Sequence, residues 1–144
     1  MYKRILVPTD GSDITSNAVD TAIALTKLSG AELHAISIKE PFPYSAISEM
    51  QPVPPQEFYD AQERIAAERI QRVEVAAAAA GIDCKGSTVE ALHPWEAIVD
   101  YAKREGCDLV VMASHGRRGV SALLLGSETQ KVLTHGNFPV LVVK

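Results

Sequence analysis

The chain has 144 residues, a formal net charge of −4 and a pI near 5.5, a size that suits one domain and a charge that argues against a broad electrostatic surface for nucleic acid. Apolar residues make up 47% and charged residues 22%, which excludes a disordered chain, and no apolar run approaches the length of a bilayer span. The opening Met1-Tyr2-Lys3-Arg4-Ile5-Leu6-Val7-Pro8 enters a strand-like run directly, without the apolar region or cleavage site of a secretory leader, so a cytoplasmic location without membrane contact is expected.

The first apolar run, Ile5-Leu6-Val7, is followed by the turn residues Asp10-Gly11-Ser12-Asp13, whose polar side chains suit a helix start. The helix predicted there presents Val19, Ala22, Ile23 and Leu25 or Thr26 to a sheet and stops at Gly30. A second strand follows over Glu32–Ile38. Pro41 to Pro55 then contains five prolines, too many for an ordinary helix or central strand, and reads as a flap or a loop facing a partner.

Helical spacing resumes from Gln56 to Ala80, with Phe58, Ala61, Ile65, Val73, Ala76 and Ala80 inward and Gly81 as the stop. Strand three is predicted over Cys84–Val89. A helix then begins at Pro94, buries Trp95, Ile98, Val99 and Ala102, and ends at Gly106. Leu109–Met112 forms strand four, Ser127–Thr134 a last helix and Pro139–Val143 strand five. Cys84 and Cys107 match no metal spacing and are expected to be buried, inert thiols; His34 reads as a core or face histidine.

Strands alternating with helices predict an α/β fold: an open, parallel, five-stranded sheet in the order 3-2-1-4-5, with helices on both faces, filling residues 1–144 as one domain. Such sheets bind ligands beyond the carboxyl ends of their strands, where the order reverses. The reversal falls between strands one and four, bringing Pro8-Thr9-Asp10-Gly11-Ser12 beside Ala113-Ser114-His115-Gly116-Arg117-Arg118-Gly119. Neither GxxxxGK[ST] nor GxGxxG is present, which disfavours P-loop enzymes and dinucleotide dehydrogenases. An anion site of another construction is expected. Gly116 and Gly119 would take positive φ and gather amides, Arg117 and Arg118 would supply charge, and Gly126-Ser127 would open a helix N-terminus. Ser127 with Gln130 also fits a capping box, and Asp10 is a natural helix cap.

Ile5 to Ser12, Val110 to Gly119, Leu125-Gly126-Ser127 and Pro139 to Val143 together resemble the universal stress protein family over essentially the whole length. Its ATP-binding members carry G-x2-G-x9-G-[ST] after strand four. Here the frame reads Ala113-x2-Gly116-x9-Gly126-Ser127, with alanine in the first position. The resemblance implies an adenine nucleotide (ATP, ADP or AMP), with Mg²⁺ or Mn²⁺ held mainly by phosphates and water rather than by protein ligands. Asp10 would lie near the ribose, adenine or a phosphate-bound metal, backbone from Ala35 to Ser37 near the adenine edge, and Gly116, Gly126, Ser127 and Thr129 would hold phosphates. Pro8, Thr9, Met112, Ala113, His115, Arg117 and Arg118 complete the expected nucleotide-binding set. A homodimer through Pro139–Val143 and an unidentified protein partner are further implications.

These residues support a nucleotide-binding regulatory or stress-response factor. Two alternatives stand beside it: a nucleotide-free, dimeric partner-binding stress protein, and a weak ATPase or phosphotransferase, for which no general base is recognisable in the sequence.

Overall fold

Three consecutive apolar residues with no turn signal between them, Ile5-Leu6-Val7, call for a strand covered on both faces. In the computed structural model, which describes residues 1–41, 56–116 and 125–144, these three are fully buried at the centre of β1 (Arg4–Pro8). β1 is followed by α1 (Asp13–Ser29), β2 (Glu32–Lys39), α2 (Gln56–Ala79), β3 (Cys84–Glu90), α3 (Pro94–Glu105), β4 (Leu109–Ala113), α4 (Ser127–His135) and β5 (Val140–Val143). The five strands form one parallel sheet in the order β3-β2-β1-β4-β5, as expected from the alternation. Most of the predicted flap, residues 42–55, lies outside the described residues.

The period-2 geometry of a strand sorts its residues between two cores. Ile5, Val7, Leu33, Ala35, Leu109 and Val111 face α1 and α2, meeting Ala18, Val19, Ala22, Ile70, Val73 and Ala77. Leu6, Ile36, Val110 and Met112 face the other way, onto Ile98, Tyr101 and Ala102 of α3 and Val132 of α4. Helices thus cover both faces. α1 starts at the N-cap Ser12 and ends where Gly30 turns left-handed at φ 70°; Gly106 ends α3 in the same way at φ 69°.

The inward face of α2 departs from the expected one at Ile65, which is 39% exposed; Val73 is buried and Ala76 and Ala80 pack against the core as expected, joined by Ala66, Ile70 and Ala77. Gly86 on β3 makes room for Ile70. A Cβ there would collide with Ile70 Cγ2 and stand 2.6 Å from Glu74 Oε1. The bare glycine is a notch that seats Ile70. On α3 the expected Val99 is half-buried, and Ala97 and Tyr101 take the core positions. His34 is the buried histidine anticipated, its Nδ1 3.0 Å from the Tyr101 hydroxyl. Burial pushes the thiols of Cys84 and Cys107 up to about 11, which keeps them protonated and unreactive.

Candidate functional site

The site grows out of two strand ends. As β1 finishes, the Thr9 amide still bonds to the Ile36 carbonyl at 2.9 Å, and the chain then turns away from the sheet. Asp10 shapes that turn. Its Oδ1 accepts from the Ser12 amide at 2.9 Å and from the Thr15 hydroxyl at 3.0 Å, an Asx turn that locks the carboxylate over the start of α1. The Thr9 hydroxyl accepts from the Gly11 amide at 3.2 Å.

At the end of β4 the Ser114 amide bonds to the Val143 carbonyl at 2.8 Å, and the Ser114 carbonyl receives the Gly126 amide at 2.7 Å. The Thr129 hydroxyl, 2% exposed, donates to the Ala113 carbonyl at 2.9 Å. These bonds bring the two halves of the spaced frame together. The Ser114 hydroxyl also lies 3.2 Å from His115 Nδ1.

Close approach explains the two glycines of the frame. A Cβ on Gly116 would stand 2.8 Å from Asp10 Oδ2, so this glycine is what lets the strand-four loop meet the strand-one loop. On Gly126 a Cβ would lie 3.1 Å from both the His115 Cα and the Ser114 carbonyl oxygen. Positive φ was expected at Gly116, but among the described residues only Gly11, Gly30, Gly81 and Gly106 adopt it. Steric clearance, rather than left-handed backbone, is the demand there. Ala113 in the first frame position also has ordinary φ, and its methyl packs in the α1–α2 core, facing away from the crevice.

The capping box is not formed. Gly126 is the N-cap of α4 and has no side-chain cap bond, Ser127 is already helical, and Gln130 Nε2 donates to the Leu125 carbonyl at 2.7 Å. The first bond of the helix is Gln130 N–H to the Gly126 carbonyl at 3.0 Å. The amides of Ser127, Glu128 and Thr129 therefore have no intrahelical partner, and they carry the positive end of the helix dipole.

The ends of β1 and β4 and the start of α4 thus gather Thr9, Asp10, Ala113, His115, Gly116, Gly126, Ser127 and Thr129. Pro8 ends β1 opposite Ile36. Ala35 is held inside the sheet between Val7 and Gly86, fully buried, and the Met112 side chain is in the α3–α4 core. Ser37 is fully buried with its hydroxyl unpartnered. Arg117, Arg118 and Gly119 lie outside the described residues. Thr15 was missed from sequence, although the spacing Asp10-x-Ser12-x-x-Thr15 hinted at a cap network; Ser114 was named only as part of the strand-four loop. Among the described residues no group of three or more His, Cys, Asp or Glu could hold a metal ion. A separate cleft of about 600 Å³ opens at the amino ends of β2 and β3, lined by Thr26, Lys27, Glu32 and Lys85 among others.

Fold and site together define a doubly wound parallel α/β domain whose β1 and β4 loops meet at its topological switch point. The sequence pattern of the universal stress protein family matches residues 1–144, and the chain belongs to that family. It is 33% identical to a universal stress protein of Thermus aquaticus, with each chain covered in full. The solved structure of MJ0577, a universal stress protein of Methanocaldococcus jannaschii, superposes with a TM-score of 0.84 at 30% identity, covering 100% of this chain and 96% of that one. A universal stress protein solved in complex with cAMP superposes with a TM-score of 0.74 at 30% identity, covering 99% and 97%. No described helix is long and apolar enough to cross a membrane.

Proposed function

We propose that this chain binds an adenine nucleotide, ATP above all, in the crevice between the ends of β1 and β4, and acts in the cytoplasm as a regulatory stress-response factor. The observation that carries the reading is the N-terminus of α4 at Ser127, Glu128 and Thr129, which the Gly126–Ser114 bond brings against the loop whose Gly116 meets Asp10. A helix N-terminus of this kind favours a phosphate. A relative of the same fold at 30% identity, solved with cAMP, adds support for the ligand class.

In this reading phosphates rest on the amides from Ser127 to Thr129, with Arg117, Arg118, His115 and Gly116 along the loop. Pro8, Thr9 and Asp10 face the ribose or the cation, and the β2 backbone from Ala35 to Ser37 lies on the adenine side. Thr129 acts through Ala113, because its hydroxyl is already donated. Ala113 is compatible with binding because its methyl points into the core. Mg²⁺ or Mn²⁺ enters with the phosphates. β5 is an edge strand with Leu141 39% exposed, and it serves as the seam of a homodimer.

Native mass spectrometry of the purified chain tests both parts. A dimer carrying ATP, ADP or AMP is the expected species. A chain without nucleotide that also shows no calorimetric ATP binding in Mg²⁺ would overturn the ligand reading, and a persistent monomer the seam.

A further inference from the structure

The acidic residue inside the phosphate-side helix calls for an explanation. Glu128 sits between Ser127 and Thr129, in the helical turn whose amides the proposed function gives to phosphate. Left free, it would compete for those amides or repel the ligand.

The structure holds it elsewhere. Glu128 Oε2 accepts the Trp95 amide at 2.8 Å, across a sequence separation of 33 residues. The start of α3 explains why this amide is available. Its N-cap, His93, makes no side-chain cap bond, and Pro94 at the first turn has no N–H. The Glu96 and Ala97 amides both turn to the His93 carbonyl, at 3.1 and 3.4 Å. Trp95 N–H is the donor left over, and Glu128 supplies the missing cap from another helix. Further along α4, His135 stacks on the Trp95 indole, with centroids 4.5 Å apart and planes 26° from parallel. α4 is therefore joined to the start of α3 at both of its ends, through the only tryptophan in the chain.

We propose that Glu128 is a positioning residue of the phosphate site: its bond to the Trp95 amide fixes the first turn of α4 and keeps the carboxylate off the amides of Ser127 and Thr129. The inference rests on the nucleotide-binding reading. Two variants separate it from a simple charge effect. Glu128→Gln removes the charge and keeps an acceptor of the same reach, whereas Glu128→Ala removes both.

If Glu128 mattered only as a nearby negative charge, the two variants would bind ATP alike. With the bond as the cause, E128A binds ATP about fivefold more weakly than E128Q, the usual scale for a lost helix cap. Adenosine, which has no phosphate, discriminates further: the ATP-to-adenosine affinity ratio falls in E128A and not in E128Q, an outcome that general destabilisation does not produce. In the nucleotide-free protein, Trp95 amide hydrogen exchange is protected in wild type and E128Q and fast in E128A, and Trp95 fluorescence shifts only in E128A. Equal ATP affinities for the two variants, or Trp95 exchange that ignores both substitutions, overturns the inference while leaving nucleotide binding in place. Absence of ATP binding by wild type overturns the functional reading itself, and the role given to Glu128 falls with it.

Discussion

At the amino end of the sheet charged groups and amides pair across strands and helices, while the buried Thr26 Oγ1 and His34 Nε2 have no hydrogen bond among the described residues. The Lys3 and Arg4 amides both donate to the Asp108 carboxylate at 2.9–3.1 Å, Arg4 pairs with Glu32 at 3.1 Å and reaches the Glu105 carbonyl at 3.0 Å, and Lys85 pairs with Glu105 at 3.3 Å. At the carboxyl end the Asp10 Oδ1, Thr15, Thr129 and Ser114 bonds hold a framework in place beside the start of α4, whose first amides lie outside its own hydrogen-bond ladder. The contrast separates an end tied by carboxylates and ion pairs from one tied by backbone and hydroxyl bonds. On the proposed reading, the carboxyl end is the one that a ligand completes.

The sharpest way to break this comparison is to crowd the carboxyl end. Gly126→Val places a branched side chain where even a Cβ meets the His115 Cα and the Ser114 carbonyl at 3.1 Å, and it should lower ATP affinity by roughly a hundredfold or more, the order that about 3 kcal/mol of lost contact and displaced backbone implies. Calorimetry reads this directly, with circular dichroism to confirm that the sheet persists. Tight ATP binding by the variant would place the ligand elsewhere.

A smaller effect is expected from Thr129→Val, which keeps the shape and leaves the Ala113 carbonyl without its donor. Chemical denaturation should show a loss of about 1–2 kcal/mol, accompanied by a several-fold loss of ATP affinity because the two halves of the frame separate. Lost stability with unchanged affinity would show that the frame does not depend on this tie.

The smallest effect belongs to the amino end. Burial works against the charged form of Asp108, but the Arg4 and Lys3 amides outweigh it and hold the carboxyl below its ordinary 3.8. The Arg4 hydrogen bond, followed by the neighbouring His34, likewise lowers Glu32 below 4.5. A carboxyl with a depressed folded-state pKa contributes fully above its unfolded value and loses that contribution as pH falls through the folded value. Asp108→Ala should therefore cost about 1 kcal/mol at neutral pH, and its difference from wild type should shrink as pH drops below 3.8. Urea midpoints at neutral and acidic pH read this. Nucleotide affinity should not move, and a large change would erase the distinction between the two ends.

Most of the architecture was legible because it is written in local periods: apolar triplets such as Ile5-Leu6-Val7, the glycine stops at Gly30 and Gly106, and Pro94 at a helix start. What escaped depends on contacts distant in sequence. Ile65 and Ile70 have equal claims to the inward face of α2 until Gly86, from a different strand, selects Ile70. Ser127 and Gln130 have capping-box spacing, yet Gly126 takes the cap because its backbone is drawn onto Ser114. Gly116 does not take the positive φ expected of it, and only the neighbouring Asp10 reveals that clearance is what it provides. The Glu128–Trp95 bond has no local signature at all.

The bond from the Gly126 amide to the Ser114 carbonyl, with Thr129 fastened to Ala113 beside it, has one more consequence. It fastens the end of β4 to the start of α4 by contacts of their own, so the register between sheet and helix is set at this neck and is independent of the length of chain that joins them.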